Sequence, residues 1–134
     1  MLQQAYIINK DLKKMTKGKM VAQATHGACY YMSEIMCCHL ESSFFGDPTD
    51  EKDRMLERYQ EWTKDKVMKK IVLKATEEEI RAMSYNLTVN KNIWCYQVHD
   101  LGLTQVPENS LTCLVVEPLP EEKHKELFGH LKLL

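Results

Sequence analysis

The chain has 134 residues, with 18 Lys and Arg against 19 Asp and Glu, 44% hydrophobic residues, and only 5 Gly and 4 Pro. That balance excludes collagen and extended disorder, and the length suits a single domain, 1–134, able to bury about two-thirds of its unfolded surface without staples. No apolar run approaches the ~20 residues that span a bilayer, and the N-terminus lacks a basic region followed by an apolar signal core.

Residues 5–9 (AYIIN) form a short apolar run ending in a lysine-rich turn, which predicts an opening strand. A long helix is predicted over 19–39, where Val21, Ala24, Ala28, Met32 and Ile35 recur at helical spacing as a buried stripe. At about 100° per residue, Lys19, Gln23, His26 and Tyr30 share a narrow arc on the opposite side, a polar row where chemistry can be placed. Residues 41–50 (ESSFFGDPTD) read as a surface loop. A second helix follows, with Met55, Leu56, Tyr59 and Trp62 on its apolar side.

Ile71, Val72 and Leu73 centre a second strand. Thr76-Glu77-Glu78-Glu79 is a capping-box signature for a helix burying Ile80, Met83 and Leu87. Residues 93–99 (IWCYQVH) and 111–117 (LTCLVVE) predict two further strands, the second stopped by Pro118 and Pro120. Residues 121–128 then form a short helix with acids in its first turn. The order is β-α-α-β-α-β-β-α, an α/β fold. It predicts a four-stranded mixed sheet between helical layers, a three-layer α/β/α sandwich.

Charge is uneven along the chain. Lys10, Lys13, Lys14, Lys17 and Lys19 cluster before the first helix, and Lys64, Lys66, Lys69, Lys70 and Lys74 around the second strand, so the fold can present a basic face. The five cysteines (Cys29, Cys37, Cys38, Cys95, Cys113) are odd in number and follow no disulfide framework, which implies free thiols and a cytoplasmic location. Familiar sites fail. No dinucleotide or phosphate-loop glycine pattern is present, and there is no Gly-x-Ser-x-Gly elbow. Cys37-Cys38-His39 lacks the spacing for a metal, since neighbours on a helix point apart.

Two polar, glycine-punctuated segments remain at strand ends, where α/β sheets place their sites. In Thr16-Lys17-Gly18-Lys19, the ammonium of Lys19 can meet an anion near a helix N-terminus. In Asp100-Leu101-Gly102-Leu103-Thr104-Gln105, a carboxylate, a hydroxyl and an amide can hold a water beside a carbonyl.

These segments carry a resemblance. The run Lys17-Gly18-Lys19-Met20-Val21-Ala22-Gln23-Ala24-Thr25-His26-Gly27-Ala28 resembles the Gly-Lys-x-x-x-Gln-x-x-His-Ala signature of class II peptidyl-tRNA hydrolases, the archaeal and eukaryotic type. Asp100 to Gln105 is similar to that family's Asp-x-Gly-x-Thr-Gln loop, and Gly129-His130-Leu131-Lys132-Leu133-Leu134 to its C-terminal ending. The likeness covers residues 5–38 and 66–134, leaving 39–65 as a variable helical insert. It implies hydrolysis of the ester joining a peptide to the 3′ ribose of tRNA, with peptidyl-tRNA as partner, no metal or organic cofactor, no membrane, and a homodimer as one family arrangement.

The catalytic set implied is Lys19, Asp100 and Thr104, with His26 beside them. Substrate contacts are expected from Lys17, Gly18, Gln23, Gly102 and Gln105, and tRNA backbone contacts from Lys13, Lys14, Lys17, Lys69 and Lys70. Departures from the pattern are Asn9-Lys10 in place of an arginine, Leu103 in place of a basic residue, and Pro107-Glu108-Asn109 in place of Pro-Gly. The rival expectation is a non-catalytic descendant that binds RNA or a protein partner.

Overall fold

The computed structural model describes the backbone of residues 1–44, 50–100 and 106–134, and their side chains except at 41–44 and 50. In chain order these form β1 (Leu2–Asn9), α1 (Lys17–Phe44), α2 (Asp50–Thr63), β2 (Lys70–Ala75) and α3 (Glu77–Tyr85), which runs into a π-helical turn (Asn86–Asn90). There follow β3 (Cys95–Asp100), β4 (Ser110–Val116), β5 (Leu119–Pro120), α4 (Glu121–Phe128) and β6 (Lys132–Leu133).

The strands make one mixed sheet in the order β3-β4-β1-β2-β6, with β5 pairing the start of β1. β1 is buried along its whole length because it is central and covered on both faces. β2 runs parallel to it, with Gln4 opposite Lys70 and Asn9 opposite Ala75. β4 runs antiparallel to β1 on the other side, with Tyr6 opposite Val115. Alternation along β1 then divides the core. Ala5 and Ile7 pack with Ile80, Leu87 and Phe128 from α3, the π turn and α4, whereas Tyr6 and Ile8 pack with Met20, Ala24 and Ala28 from α1. Helices therefore cover both faces. Tyr31 and Ile35 of α1 meet Met55 and Trp62 of α2 in a third cluster.

The expected four strands become six among the described residues. β5 and β6 have two residues each, too few to leave a periodic signal. β1 also begins at Leu2, earlier than its apolar run, because polar Gln3 and Gln4 are buried within the strand. The Tyr6 hydroxyl donates to Gln4 Oε1 (2.7 Å), and the carbonyl of Gln3 accepts from His124 Nε2 (2.6 Å). α1 continues to Phe44 and α2 starts at Asp50, so part of the expected 41–50 loop is helical; residues 45–49 lie outside the described residues. The capping box at Thr76 is present, with its hydroxyl accepting from Glu79 N (3.1 Å) and Glu79 Oε1 accepting from Thr76 N (3.2 Å). Among the described residues no helix is long and apolar enough to cross a membrane.

Candidate active site

The C-terminal ends of β1 and β3 and the first turn of α1 meet at one edge of the sheet. There Lys19 Nζ lies 2.8 Å from Asp100 Oδ2, with the two side chains only 14% and 13% exposed. The sequence separates them by eighty-one positions; the fold brings them into contact.

Local chemistry fixes each partner. Asn9, buried at the end of β1, donates from Nδ2 to the carbonyl of Leu111 (2.8 Å), and its Oδ1 accepts from Asp11 N (2.9 Å). Asp11 Oδ2 in turn accepts from Glu77 N at the start of α3 (2.9 Å), tying the turn down. α1 then opens with the Thr16 hydroxyl accepting from Lys19 N (3.3 Å), an N-cap arrangement, and with Met20 N on the carbonyl of Thr16 (2.9 Å). On the other side, Asp100 is the last residue of β3. Its carbonyl accepts from Asn109 N (2.6 Å), and Ser110 Oγ donates to the carbonyl of Pro107 (2.6 Å), so the strand ends around it are pinned together.

The azimuth of α1 is set by its contact with the sheet. A Cβ on Gly27 would stand 3.1 Å from Val115 Cβ, so the absence of a side chain there lets the helix lie close on β4. One turn nearer Lys19, Gln23 is buried, and Thr112 Oγ1 donates to its Oε1 (2.7 Å). That same hydroxyl lies 3.0 Å from the carbonyl of Val98, two residues before Asp100. A register shift in the β3–β4 ladder, which steps from Val98–Cys113 to His99–Leu111, sets Thr112 out of the pairing at this point.

The expected polar row on α1 is thus corrected at Gln23, which sits on the sheet-side margin of the arc and serves packing of the helix on the sheet. The expected buried stripe is corrected too, because Val21 and Met32 are 66% and 36% exposed, while Met20, Gly27, Tyr31 and Cys38 take the inward positions. Hydrophobicity alone misplaced the stripe, since a glycine and a glutamine are among its buried members.

His26 is exposed on the Lys19 flank of α1, two turns further on, at about 10 Å along the axis. Lys17 and Gly18 are exposed in the first turn. Lys13 and Lys14 are exposed as well and border a cleft of 170 Å³ with Asp11, Val106 and Pro107. Gly102, Thr104 and Gln105 lie outside the described residues, as does Leu103.

Lys69 and Lys70 do not join this edge. Lys70 pairs with Gln4, five residues from the Asn9 end of β1, about 17 Å away at strand rise. Lys69 Nζ is held by Glu121 Oε1 at 2.6 Å, and Lys70 Nζ stands 4.8 Å from the ring centroid of Trp62.

A shielded carboxylate can accept a proton from water, and an ammonium beside it can hold a developing anion, so the pair has chemistry suited to hydrolysis. Comparison with known proteins gives the family. The family model described as "Peptidyl-tRNA hydrolase PTH2" matches residues 2–134, and the chain belongs to that family. It is 33% identical over 135 residues to a peptidyl-tRNA hydrolase of Thermococcus onnurineus, covering 98% of this chain and 96% of the relative. It is 32% identical to one of Methanothermobacter thermautotrophicus, covering 99% and 100%. A probable peptidyl-tRNA hydrolase 2 of Dictyostelium discoideum is 31% identical over 97% of this chain and 53% of its own length.

Sequence reasoning missed Thr112, Asn9 and Gly27 as site-positioning residues. Thr112 left only a faint signal, a single hydroxyl inside the apolar run 111–116.

Proposed function

We propose that this protein hydrolyses peptidyl-tRNA, cleaving the ester between the peptide and the 3′ ribose and so freeing tRNA for reuse. The observation that carries the proposal is the 2.8 Å contact between Lys19 and Asp100, held in a largely shielded position. Asp100 orients the attacking water and takes its proton as the oxygen bonds to the ester carbonyl carbon. The carbon–oxygen bond to the ribose then breaks, and the proton passes to the departing 3′ oxygen. Lys19 stabilises the tetrahedral oxyanion. Thr104 is assigned the hydroxyl that holds the water, and His26 a position along the incoming substrate. Lys13, Lys14 and Lys17 supply phosphate contacts on this side of the molecule. The whole chain acts as one domain in the cytoplasm, a reading supported by its unpaired cysteines.

The test is release of labelled peptide from an N-blocked aminoacyl-tRNA by the purified protein and by Asp100→Asn. Turnover that the substitution lowers a hundredfold or more is expected, at about the scale of general-base catalysis. No turnover by the parent protein, with tRNA still bound, would leave the non-catalytic RNA-binding reading in its place.

A further inference from the structure

A pair of stacked tyrosines continues the site along α1 and β3. Tyr30 and Tyr96 have ring centroids 4.1 Å apart and planes at 23°, yet they remain 44% and 39% exposed. Both lie on the same side of the sheet as the Lys19–Asp100 pair. On α1, Tyr30 shares with Lys19 and His26 one flank at about 100° per residue. On β3, Tyr96, Val98 and Asp100 alternate onto the same face, and Val98 packs in the core under α1. β3 is the outermost strand of the sheet, and both rings keep contact with solvent there. The rings are also backed from behind. Trp94 lies nearly parallel to Tyr96 at 19° and 6.4 Å, and stands 5.4 Å from the buried ring of Tyr31.

We propose that Tyr30 and Tyr96 form a stacking platform for bases of the unpaired 3′ end of tRNA, upstream of the scissile ester. This rests on the peptidyl-tRNA reading and adds a binding subsite to it. Unpaired bases are recognised chiefly by stacking on aromatic rings, and a tyrosine has few torsions to immobilise. The spacing fits. Tyr96 lies four residues from Asp100, about 13 Å at strand rise, and Tyr30 lies eleven residues from Lys19, about 16 Å at helix rise. A single strand needs only a few nucleotides to cover that distance, at about 3.4 Å each when stacked and more when extended. An apolar partner peptide would have no need of two flat, parallel rings beside a basic edge.

The experiment has a binding arm and a turnover arm. A fluorescently labelled single-stranded RNA ending in CCA is titrated against the parent protein, Tyr30→Ala, Tyr96→Ala, Tyr30→Phe and Tyr96→Phe. Each alanine variant is expected to bind about tenfold more weakly, within the range for one stacked base, and each phenylalanine variant to bind as the parent does. On N-acetylaminoacyl-tRNA, the alanine variants should raise KM with kcat retained. On N-acetylaminoacyl-adenosine, which has no upstream bases, they should match the parent. Equal losses on both substrates, or unchanged oligonucleotide binding by the alanine variants, would overturn the platform. A protein that lacked turnover but bound the RNA through these rings would keep the platform and remove the hydrolase reading.

Discussion

The hydroxyl of Thr112 joins three elements at one point, since it reaches Gln23 of α1 and the carbonyl of Val98 in β3 from its own place on β4. Thr112→Val keeps the shape and removes the donor, leaving the buried amide oxygen of Gln23 without that partner. A loss of about 1–3 kcal/mol in urea unfolding is expected. Turnover should fall as well, because Lys19 lies one turn from Gln23 on the same helix. A second residue effect concerns pH. Burial holds the His124 imidazole below its usual range, against a smaller opposing pull from its bond to the carbonyl of Gln3; Lys69 pushes the same way as burial and Glu121 the other. The unfolded chain then takes up a proton at this residue more readily than the folded one. Stability from this source is complete above about pH 6.5 and is lost as the pH falls toward the folded-state value. His124→Gln should flatten that acid limb in a series of urea midpoints.

Helix α2, the variable insert of the sequence reading, is fastened by charge as well as by apolar packing. Arg58 Nη1 contacts Glu117 Oε1 at 2.5 Å, where Glu117 is buried at the end of β4, and Arg54 Nη2 donates to the carbonyl of Asn92 (2.7 Å). Burial pushes the Glu117 carboxyl above its usual range, and Arg58 and Arg54 pull it back. Because the folded state holds this proton more tightly than the unfolded one, ionising Glu117 costs stability as the pH rises through that window. Arg58→Ala leaves the carboxylate without its main partner. The expected loss is about 3 kcal/mol at neutral pH, the lower end for a broken buried pair because Arg58 keeps some solvent contact. The deficit should shrink as the pH is lowered and Glu117 takes up its proton. A deficit constant across pH would show that Arg58 acts by packing alone.

These contacts also explain which elements could be read from the sequence. α3 and α4 carried their own start signals, the capping box at Thr76 and the acids at Glu121 and Glu122, and they appear where those signals placed them. α1 was found, but its inward face was misassigned, because Gln23 and Gly27 owe their burial to Thr112 and Val115 on a distant strand. β1 was found late by three residues because the polar Gln3 and Gln4 interrupt its apolar run. Lys19 and Asp100 could be singled out by residue type at strand ends, but their contact depends on where α1 rests on β4.

Across the whole molecule, a formal charge of -1 conceals a division of lysines between two ends of the sheet. Lys13, Lys14 and Lys17 lie at the Lys19–Asp100 edge, whereas Lys69 is engaged by Glu121 at the opposite end. Binding of tRNA should therefore weaken with salt, and Lys13→Ala with Lys14→Ala should lower the log–log slope by about two, near one per lost phosphate contact. Lys69→Ala should leave the slope unchanged. Equal effects of the two sets would mean that the tRNA crosses both ends.

The proposed joint action of Lys19 and Asp100 in turnover is open to a double-mutant cycle on peptidyl-tRNA hydrolysis. The rates of Lys19→Ala, Asp100→Ala and the double variant would be compared with the parent, each variant first shown to unfold cooperatively. Each single change is expected to cost a hundredfold or more, at about the scale of a lost acid–base group, and the double variant to be no slower than the slower single one. Losses that multiply in the double variant, or a single variant that keeps the parent rate, would contradict the account.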